Sequence, residues 1–291
     1  MKTVIMFSGQ GAQYSGMGKD FYEQYPESKR IFDIAGDDIT RLCFEGSEKE
    51  LADTVNTQVC MYTVTMAKFY ALKEKLGEPY AYAGFSLGEY AALTAGGAFS
   101  FEQGLEIVKK RASLMAAHGN GKGTIAACLG DNDKIEEVIN AMAKEGSIIT
   151  AANYNSPGQI VASGSFEAIS ELEKRLAENS LKYIPLKVSG PFHSKILEPV
   201  VEPLREALTK ADIKMPHTPV YSNVTAKPYS GVDEILEVLP NQAQSSVKWL
   251  QTVENLADAD RFIEIGCGKT LAGLVKRISK GWSEKKEIIA I

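Results

Sequence analysis

The chain has 291 residues, of which 44% are hydrophobic and 24% are charged, and its formal net charge is -5 at pH 7. This size and composition predict a globular protein with one large domain, or a large domain with a small insert, and argue against disorder. Acidic and basic residues are interspersed without a basic block, so neither nucleic acid nor an anionic membrane is expected as a partner.

The cysteines predict neither a disulfide framework nor a metal site. None of the four forms a C-x-x-C pair or lies near a histidine at zinc spacing, and we expect them to be reduced and mostly packed inside. They are Cys43, Cys60, Cys128 and Cys267. The apolar stretch at residues 4–7 is too short for a signal peptide or a membrane span. A cytoplasmic location is the default expectation, and a monomer is expected.

The first predicted strand, residues 3–7, leads into a loop with four glycines at residues 8–18. The loop matches no dinucleotide fingerprint, because Tyr14 occupies the third glycine position, and it lacks the G-K-[ST] of a phosphate loop. A loop that follows a strand can still direct main-chain N–H groups at an anion, and Gln10 stands at its tightest point. Two interpretations stay open: an oxyanion donor for a nearby nucleophile, or a glycine turn without chemistry.

Helical patterns occupy residues 20–36, 47–53, 59–76 and 101–117. The third pattern ends before Gly77 and a following proline, which is a typical helix stop. We expect these helices to pack on a sheet.

A candidate nucleophile lies between the third and fourth of these helices. A short apolar strand reaches Gly84, the sequence Gly84-Phe85-Ser86-Leu87-Gly88 follows, and small helix-favouring residues continue over 89–95. A G-x-S-x-G string at a strand-to-helix corner is typical of a nucleophile elbow, which exposes the serine hydroxyl at the tip of the turn. The helix N-terminus directs its free N–H groups and positive dipole end at Ser86, where negative charge would develop.

A compact unit is predicted at residues 123–187. Its predicted elements are strands at 123–129, 148–154, 159–164 and 181–186, and helices at 131–144 and 165–178, the first of them capped by Asp131. This order of strand, helix, strand, strand, helix, strand is that of a ferredoxin-like (βαββαβ) subdomain.

Sheet-type segments resume after this unit, at residues 220–222, 261–265 and 288–291. The unit is therefore predicted to be an insert, and the alternation of strands and helices around it predicts an α/β fold. The expected architecture is a large α/β-hydrolase-like catalytic domain with a mainly parallel sheet, formed by residues 1–122 and 188–291. Residues 123–187 are expected to form the inserted ferredoxin-like subdomain.

A serine nucleophile needs a base, and histidine is the usual one. Of the three histidines, His118 and His217 lie in settings typical of exposed loops, whereas His193 lies where the insert returns to the main domain. A helix is predicted directly after it, at residues 194–208. No acid is singled out to orient His193, and a main-chain carbonyl could serve instead by accepting a hydrogen bond from Nδ1.

Arg111, on the helix at residues 101–117, has two possible roles. A guanidinium group matches a substrate carboxylate in a bidentate geometry. The commoner situation of an arginine on a helix is a solvated one, and the residues alone leave both alternatives open.

Taken together, the motifs resemble those of the malonyl-CoA:acyl carrier protein transacylases of fatty acid synthesis and the related acyltransferase domains of polyketide synthases. The resemblance runs nearly end to end. It is carried by Phe7-Ser8-Gly9-Gln10-Gly11-Ala12-Gln13, Gly84-Phe85-Ser86-Leu87-Gly88-Glu89-Tyr90, Lys110-Arg111, Asn153 with Asn155-Ser156-Pro157-Gly158-Gln159-Ile160-Val161-Ala162-Ser163-Gly164, Gly190-Pro191-Phe192-His193-Ser194, Ser222-Asn223-Val224-Thr225, and Gln242 seven residues before Trp249.

The resemblance implies the following catalytic groups. Ser86 would be the acylated nucleophile and His193 its base, and the main-chain carbonyl of Gln242 would orient the histidine. The main-chain N–H groups of Gln10 and Leu87 would form the oxyanion hole.

It also implies the substrates. Malonyl-CoA would be the acyl donor, with its carboxylate bound by Arg111, and Phe192 would leave little room for a 2-methyl branch. The acceptor would be an acyl carrier protein that bears phosphopantetheine, and no tightly bound cofactor is expected.

Two positions depart from the family pattern, which usually has proline where Ser8 stands and histidine where Phe85 stands. We expect the first change to be nearly silent, as one turn residue replacing another. The second removes a polar group beside the nucleophile, so contacts with coenzyme A or the pH dependence could differ.

Three other functions stay open at this stage. A free-standing acyltransferase that loads a polyketide synthase carrier would share the whole active site. A serine hydrolase would share the G-x-S-x-G elbow, although it has no need of a carboxylate clamp. A non-enzymatic scaffold or carrier-binding module would need neither nucleophile nor base.

Overall fold

A computed structural model describes all 291 residues and contains nine strands and thirteen α-helices. The strands are β1 (Thr3–Phe7), β2 (Ala81–Gly84), β3 (Thr124–Leu129), β4 (Ile149–Ser156), β5 (Gln159–Gly164), β6 (Lys182–Leu186), β7 (Val220–Tyr221), β8 (Arg261–Ile265) and β9 (Glu287–Ala290). The helices are α1 (Lys19–Gln24), α2 (Pro26–Ala35), α3 (Asp37–Glu45), α4 (Glu48–Ala52), α5 (Thr54–Leu76), α6 (Leu87–Ala95), α7 (Phe101–Gly119), α8 (Asn132–Lys144), α9 (Phe166–Glu178), α10 (Val201–Lys210), α11 (Val232–Asn241), α12 (Trp249–Glu254) and α13 (Thr270–Ile278). None of these helices combines the length and apolar character that crossing a bilayer requires.

The central strand β1 belongs to a five-stranded sheet with the order β7-β2-β1-β8-β9, in which every neighbouring pair is parallel. All of β1 is buried, as expected for a parallel strand covered on both faces. Because successive side chains point to opposite faces, Ile5 and Phe7 join a core of 46 buried residues and Val4 and Met6 join a second core of 14. The prediction of an α/β fold with a mainly parallel sheet is confirmed.

The second sheet is antiparallel and four-stranded, with the order β4-β5-β3-β6. Helices α8 and α9 share with it a separate apolar core of 14 buried residues. Its strand β4 also bonds to the rest of the chain: Tyr154 N–H donates to Val247 O at 2.9 Å, and Val247 N–H donates to Ala152 O at 2.8 Å. The small unit is therefore joined to the main body by main-chain hydrogen bonds as well as by its two connections.

Most boundaries within the small unit agree with the sequence predictions. Strand β5 has the predicted limits, and Asp131 caps α8 by accepting a hydrogen bond from Lys134 N–H at 3.1 Å. Strand β4 continues two residues beyond its predicted end, to Ser156, and β5 begins at Gln159, so the turn between them is shorter than the predicted strands imply.

Several boundaries in the main body were predicted wrongly. Helix α5 begins at Thr54 rather than at residue 59, because Asp53 caps it by accepting two main-chain N–H groups. The segment predicted as a helix at 194–208 starts with a 3-10 turn, Lys195–Val200, and only then becomes α10. Pro199, which lacks an N–H group, lies inside that turn. Helices α3, α11 and α12 were not predicted.

Candidate active site

Ser86 occupies the sharp corner between β2 and α6, with φ 52° and ψ -107°, an uncommon conformation for a residue with a side chain. A Cβ atom at Gly84 would overlap Gly88 O, and one at Gly88 would overlap Phe7 O. Both glycines of the predicted elbow are therefore required by the packing. Asn223 holds the corner in place, since its Oδ1 accepts from Ser86 N–H at 2.7 Å and its Nδ2 donates to Gly84 O at 2.6 Å.

His193 lies beside the serine, and its Nε2 is 2.8 Å from Ser86 Oγ. Its Nδ1 faces two main-chain carbonyls, Gln242 O at 2.9 Å and Ser245 O at 3.0 Å. A carbonyl can only accept, so Nδ1 carries the proton and Nε2 is the free acceptor in the neutral ring. Burial, helped by the charge of Arg111, lowers the pKa of His193 from 6.5 to about 4. The imidazole is thus a neutral base at physiological pH.

The other two histidines lie outside this site. His118 is partly buried in the last turn of α7 rather than in an exposed loop. His217 is exposed, as expected, and its Nδ1 lies 3.0 Å from Thr218 Oγ1. Neither residue lines the cleft that contains Ser86.

Arg111 is completely buried, so the interpretation of it as a solvated helix residue is wrong. Its Nη2 donates to Ser86 Oγ at 3.1 Å and to Gln242 Oε1 at 3.0 Å, and its Nη1 donates to Gln58 Oε1 at 2.6 Å. The guanidinium carbon lies 5.2 Å from the ring centroid of Tyr90. Burial lowers the pKa of Arg111 from its ordinary value. The geometry places a cation at the nucleophile and fixes its orientation with neutral acceptors.

The site also contains a buried carboxyl group, which is linked to Ser86 through the side chain of Gln242. Glu89, on the first turn of α6, accepts from Gln242 Nε2 at 2.6 Å and from Tyr229 OH at 2.6 Å. Gln242 Nε2 also donates to Ser86 O at 2.8 Å. Burial is the main cause that raises the pKa of Glu89 from 4.5 to about 7.

The two predicted oxyanion donors lie on the segments that meet at the serine. Leu87 is the first residue of α6, so its N–H has no partner within the helix. The next two N–H groups, of Gly88 and Glu89, donate to Phe85 O and Ser86 O. The loop after β1 approaches so closely that a Cβ at Gly9 would lie 2.7 Å from Phe85 O. Gln10, the next residue of that loop, lines the cleft.

The cleft beside Ser86 has a volume of about 680 Å³, within the usual range for small-molecule sites. Ser86, Phe192 and His193 line one part of it. The small sheet contributes a wall that includes Ile125, Asn153, Asn155, Gln159 and Val161, and three cationic residues also line the cleft, namely Lys187, Lys269 and Arg277.

Ser8 and Phe85, the two residues that depart from the family pattern, each make specific contacts. Ser8 is buried, its Oγ donates to Glu264 Oε1 at 3.0 Å and its N–H donates to Ile265 O at 3.2 Å. Proline could make neither bond, so Ser8 has a more specific environment than the expected turn residue. Phe85 packs on Trp249, with ring centroids 5.6 Å apart.

Four residues of the site were given no role from the sequence: Gln58, Glu89, Asn223 and Tyr229. Glu89 and Asn223 lie within motifs that carry the family resemblance, but nothing in the motifs indicated what they contact. A weak signal existed for Gln58 and Glu89, which are polar residues on the otherwise largely apolar buried helices α5 and α6. Tyr229 gave none.

The geometry can be set beside known proteins. The family model described as "Acyl transferase domain" matches residues 4–288. A malonyl CoA-acyl carrier protein transacylase of Bacillus subtilis (strain 168) is 41% identical over 288 residues, which cover 96% of this chain and 91% of that protein.

Solved structures give the same result. The crystal structure of a malonyl CoA-acyl carrier protein transacylase from Clostridium perfringens matches with a TM-score of 0.92 and 37% identity, covering 100% of this chain and 92% of that chain. A type II polyketide synthase acyl-carrier protein in complex with its malonyl-transacylase provides a second match, with a TM-score of 0.92, 32% identity and coverage of 100% and 94%.

Proposed function

The chain belongs to the acyl transferase domain family, and we propose that it transfers a malonyl group from malonyl-CoA to the phosphopantetheine thiol of an acyl carrier protein. The reaction supplies malonyl groups to fatty acid synthesis. The observation that carries the proposal is the contact of 2.8 Å between Ser86 Oγ and His193 Nε2, with the guanidinium of Arg111 at the same oxygen.

The reaction proceeds in two half-reactions through a malonyl ester on Ser86. His193 Nε2 takes the hydroxyl proton as Ser86 Oγ attacks the thioester carbon, and the resulting oxyanion accepts hydrogen bonds from the N–H groups of Gln10 and Leu87. The carbon–sulfur bond then breaks, and His193 returns the proton to the departing thiolate of coenzyme A. The carrier thiol repeats these steps in reverse and leaves Ser86 with its proton. Throughout, the carbonyl of Gln242 keeps the imidazole in the required tautomer.

Selectivity for malonyl groups is assigned to two residues. Arg111 presents a buried guanidinium at the nucleophile, and a malonyl carboxylate can accept from it in a bidentate geometry. Phe192 is buried beside His193 and lines the cleft, which limits the space for a branch on the acyl group. Malonyl-CoA is a substrate in this scheme, and the chemistry uses no tightly bound cofactor.

We also propose the finer description of the fold. The strand order β4-β5-β3-β6, with α8 and α9 against it, supports a ferredoxin-like subdomain at 123–187. The parallel sheet with a serine elbow after β2 supports an α/β-hydrolase-like catalytic domain at 1–122 and 188–291.

The test is to incubate the protein with malonyl-, methylmalonyl- or acetyl-CoA, each with and without a phosphopantetheinylated carrier, and to follow adduct and product by mass spectrometry. We expect a malonyl adduct on the wild-type protein that discharges to the carrier, and no adduct on Ser86→Ala. A malonyl adduct that persists on Ser86→Ala would disprove the role of Ser86. Release of malonate to water without transfer would indicate a serine hydrolase.

A second candidate acceptor is a polyketide synthase carrier. The structural match to a malonyl-transacylase in complex with a type II polyketide synthase carrier supports it, although more weakly than the relatives of 41% and 37% identity support a fatty acid carrier. The same assay with a fatty acid carrier and a polyketide carrier at equal concentrations distinguishes the two, since the physiological acceptor should be loaded at the higher kcat/KM.

A further inference from the structure

Gln242 contacts all three groups on which the proposed reaction depends. Its main-chain O accepts from His193 Nδ1 at 2.9 Å, and its side-chain Oε1 accepts from Arg111 Nη2 at 3.0 Å. Its Nε2 donates to Ser86 O at 2.8 Å. The side-chain amide of Gln242 has an accepting oxygen at one end and a donating NH₂ group at the other. Only one orientation of this amide therefore makes both side-chain hydrogen bonds. Turned by 180°, the amide would direct its NH₂ group at the guanidinium, where both groups are donors.

Glu89 selects the productive orientation. Glu89 Oε2 lies 2.6 Å from the NH₂ group of Gln242, which can only donate, so this oxygen is an acceptor and fits only the NH₂ end of the amide. The other carboxyl oxygen of Glu89 is held by Tyr229 OH at 2.6 Å. A proton bound to the carboxyl group would lie on Oε1, beside Tyr229 OH, and would leave Oε2 an acceptor. Glu89 is fully buried, as is Arg111, so the pair also balances charge within the interior. Both oxygens of Glu89 and both ends of the Gln242 side-chain amide therefore have hydrogen-bond partners.

We propose that Glu89 is the positioning carboxylate of the site, which acts through Gln242 on both His193 and Arg111. In a Ser-His-Asp triad the acid contacts the imidazole itself. Here the imidazole contacts a main-chain carbonyl, and the carboxylate fixes the residue that provides that carbonyl. The inference rests on the proposed transfer through Ser86, and Glu89 itself contacts neither the substrate nor the reacting atoms.

Glu89→Gln is the sharpest test, because it keeps the shape and replaces one acceptor with a donor. The new NH₂ group would face either Tyr229 or Gln242, and the Gln242 amide would lose its preferred orientation. We expect the single-turnover rate of malonyl-Ser86 formation to fall by roughly a hundredfold, the effect of a misplaced catalytic group. The fall should appear mainly in the acylation rate, and the preference for malonyl-CoA over acetyl-CoA should also shrink, because Arg111 loses Gln242 Oε1 as an acceptor and keeps Gln58 Oε1.

Two further variants keep the test decisive if Glu89→Gln folds poorly. Glu89→Asp retains a carboxylate and should recover part of the rate and of the malonyl preference. Tyr229→Phe leaves Glu89 in place but removes one of its donors, so we expect a smaller fall in rate, about tenfold.

Tyr62→Phe is the matched control. Tyr62 OH and Thr94 Oγ1 form a buried hydrogen bond of 2.7 Å between α5 and α6, and neither residue lines the cleft or forms a hydrogen bond with Ser86, His193, Arg111 or Glu89. Tyr62→Phe therefore removes a buried hydroxyl contact of the same kind, and it should lower thermal stability as Tyr229→Phe does while the acylation rate stays at the wild-type value.

The outcomes separate the two proposals. Failure of the wild-type protein to form a malonyl-Ser86 adduct would count against the proposed function, whatever Glu89 does. If the wild-type protein forms the adduct and folded Glu89→Gln forms it equally fast with unchanged selectivity, the positioning role of Glu89 is wrong. Equal rates in Tyr229→Phe and Tyr62→Phe, together with no rescue by Glu89→Asp, would overturn it as well.

Discussion

The protein holds its charges differently in the body built on the parallel sheet and in the small unit formed by the antiparallel sheet with α8 and α9. In the body, Glu89, Arg111 and Glu264 are fully buried, and each is fixed by hydrogen bonds. In the small unit, the 14-residue core is apolar, and the ion pairs of Arg175 with Glu145 and Glu171 lie toward the solvent.

The difference shows that buried charged residues accompany the catalytic site, whereas the core of the small unit contains none. Buried charges are costly unless every hydrogen-bonding group is satisfied. In the body, Glu89 and Arg111 lie on α6 and α7 beside the serine and the histidine, and Glu264 lies near the end of β8. The small unit adds a wall to the cleft from its sheet and keeps a conventional core beneath it. Substitutions at the catalytic site of the body should therefore change the acylation rate or the donor selectivity. Substitutions in the core of the small unit should instead change the free energy of unfolding.

The largest expected effect is that of His193→Ala on the rate of acylation. Without its base, Ser86 should react with malonyl-CoA about 10²–10⁴-fold more slowly, because general base catalysis typically contributes that much. Single-turnover mass spectrometry measures the rate, and circular dichroism checks that the variant is folded. A folded variant with wild-type acylation would show that another group takes the serine proton.

The next effect concerns Arg111→Ala and the choice of acyl donor. Breaking a buried ion pair costs on the order of 3–5 kcal/mol, which corresponds to roughly a hundredfold or more in relative kcat/KM. We expect the ratio of kcat/KM for malonyl-CoA over acetyl-CoA to fall by that amount. Phe192→Ala serves as the contrasting variant, because it should increase acceptance of methylmalonyl-CoA and leave the malonyl-to-acetyl ratio largely unchanged. An unchanged ratio in Arg111→Ala would remove it from carboxylate binding.

A core substitution in the small unit should give the reverse pattern. Ile139, on α8, is buried in the apolar core, and Ile139→Ala should lower the free energy of unfolding by about 2–5 kcal/mol. Chemical denaturation measures the loss. The acylation rate of the folded fraction should stay close to wild type, because no catalytic residue lies in that core. A fall in the acylation rate comparable to that of His193→Ala would show that the core of the small unit is needed for catalysis as well as for stability.

The pH dependence of stability sharpens the comparison further. The pKa of His193 is lowered from 6.5 to about 4, so between these values the unfolded chain binds a proton that the folded protein does not. The free energy of unfolding therefore rises with pH across that window. Glu89 acts in the opposite direction, because its pKa is raised from 4.5 to about 7 and the folded state binds the extra proton.

Removing the histidine isolates one of these two contributions. His193→Ala should show a smaller rise in unfolding free energy from pH 4 to pH 6.5 than the wild-type protein. Denaturation at several pH values tests this, and parallel curves for the two proteins would contradict the lowered pKa of His193.

The same contrast explains how well the sequence predicts the fold. In the small unit, amphipathic helices and local caps such as Asp131 fixed the elements to within about a residue or two. In the body, α5 is buried around most of its circumference, so it lacks a polar face to mark its beginning at Thr54. The short helix α12 is built around the buried Trp249 and has too few residues for a period to be recognised.

The residues of the site likewise fall into two groups, those that the sequence could identify and those whose contacts it could not. Ser86 could be found because the elbow is a local arrangement of glycines, and Arg111 and His193 because they belong to recognisable motifs. The contacts of Glu89 could not, because Tyr229 lies 140 residues away and Gln242 lies 153 residues away. Which polar residues of a chain meet in the interior is decided by the packing of the whole fold, and that information is not present in any single segment.

The smallest expected effect tests the surface of the small unit. Arg175 donates to Glu145 Oε1 at 3.0 Å and Oε2 at 2.6 Å, and to Glu171 Oε1 at 3.1 Å, which is a favourable bidentate geometry. Water screens these exposed charges, so Arg175→Ala should shift the denaturation midpoint far less than Ile139→Ala does. A shift as large as that of Ile139→Ala would mean that these exposed ion pairs contribute as much to the stability of the small unit as a side chain of its apolar core. The small unit would then depend on its surface charges as well as on that core.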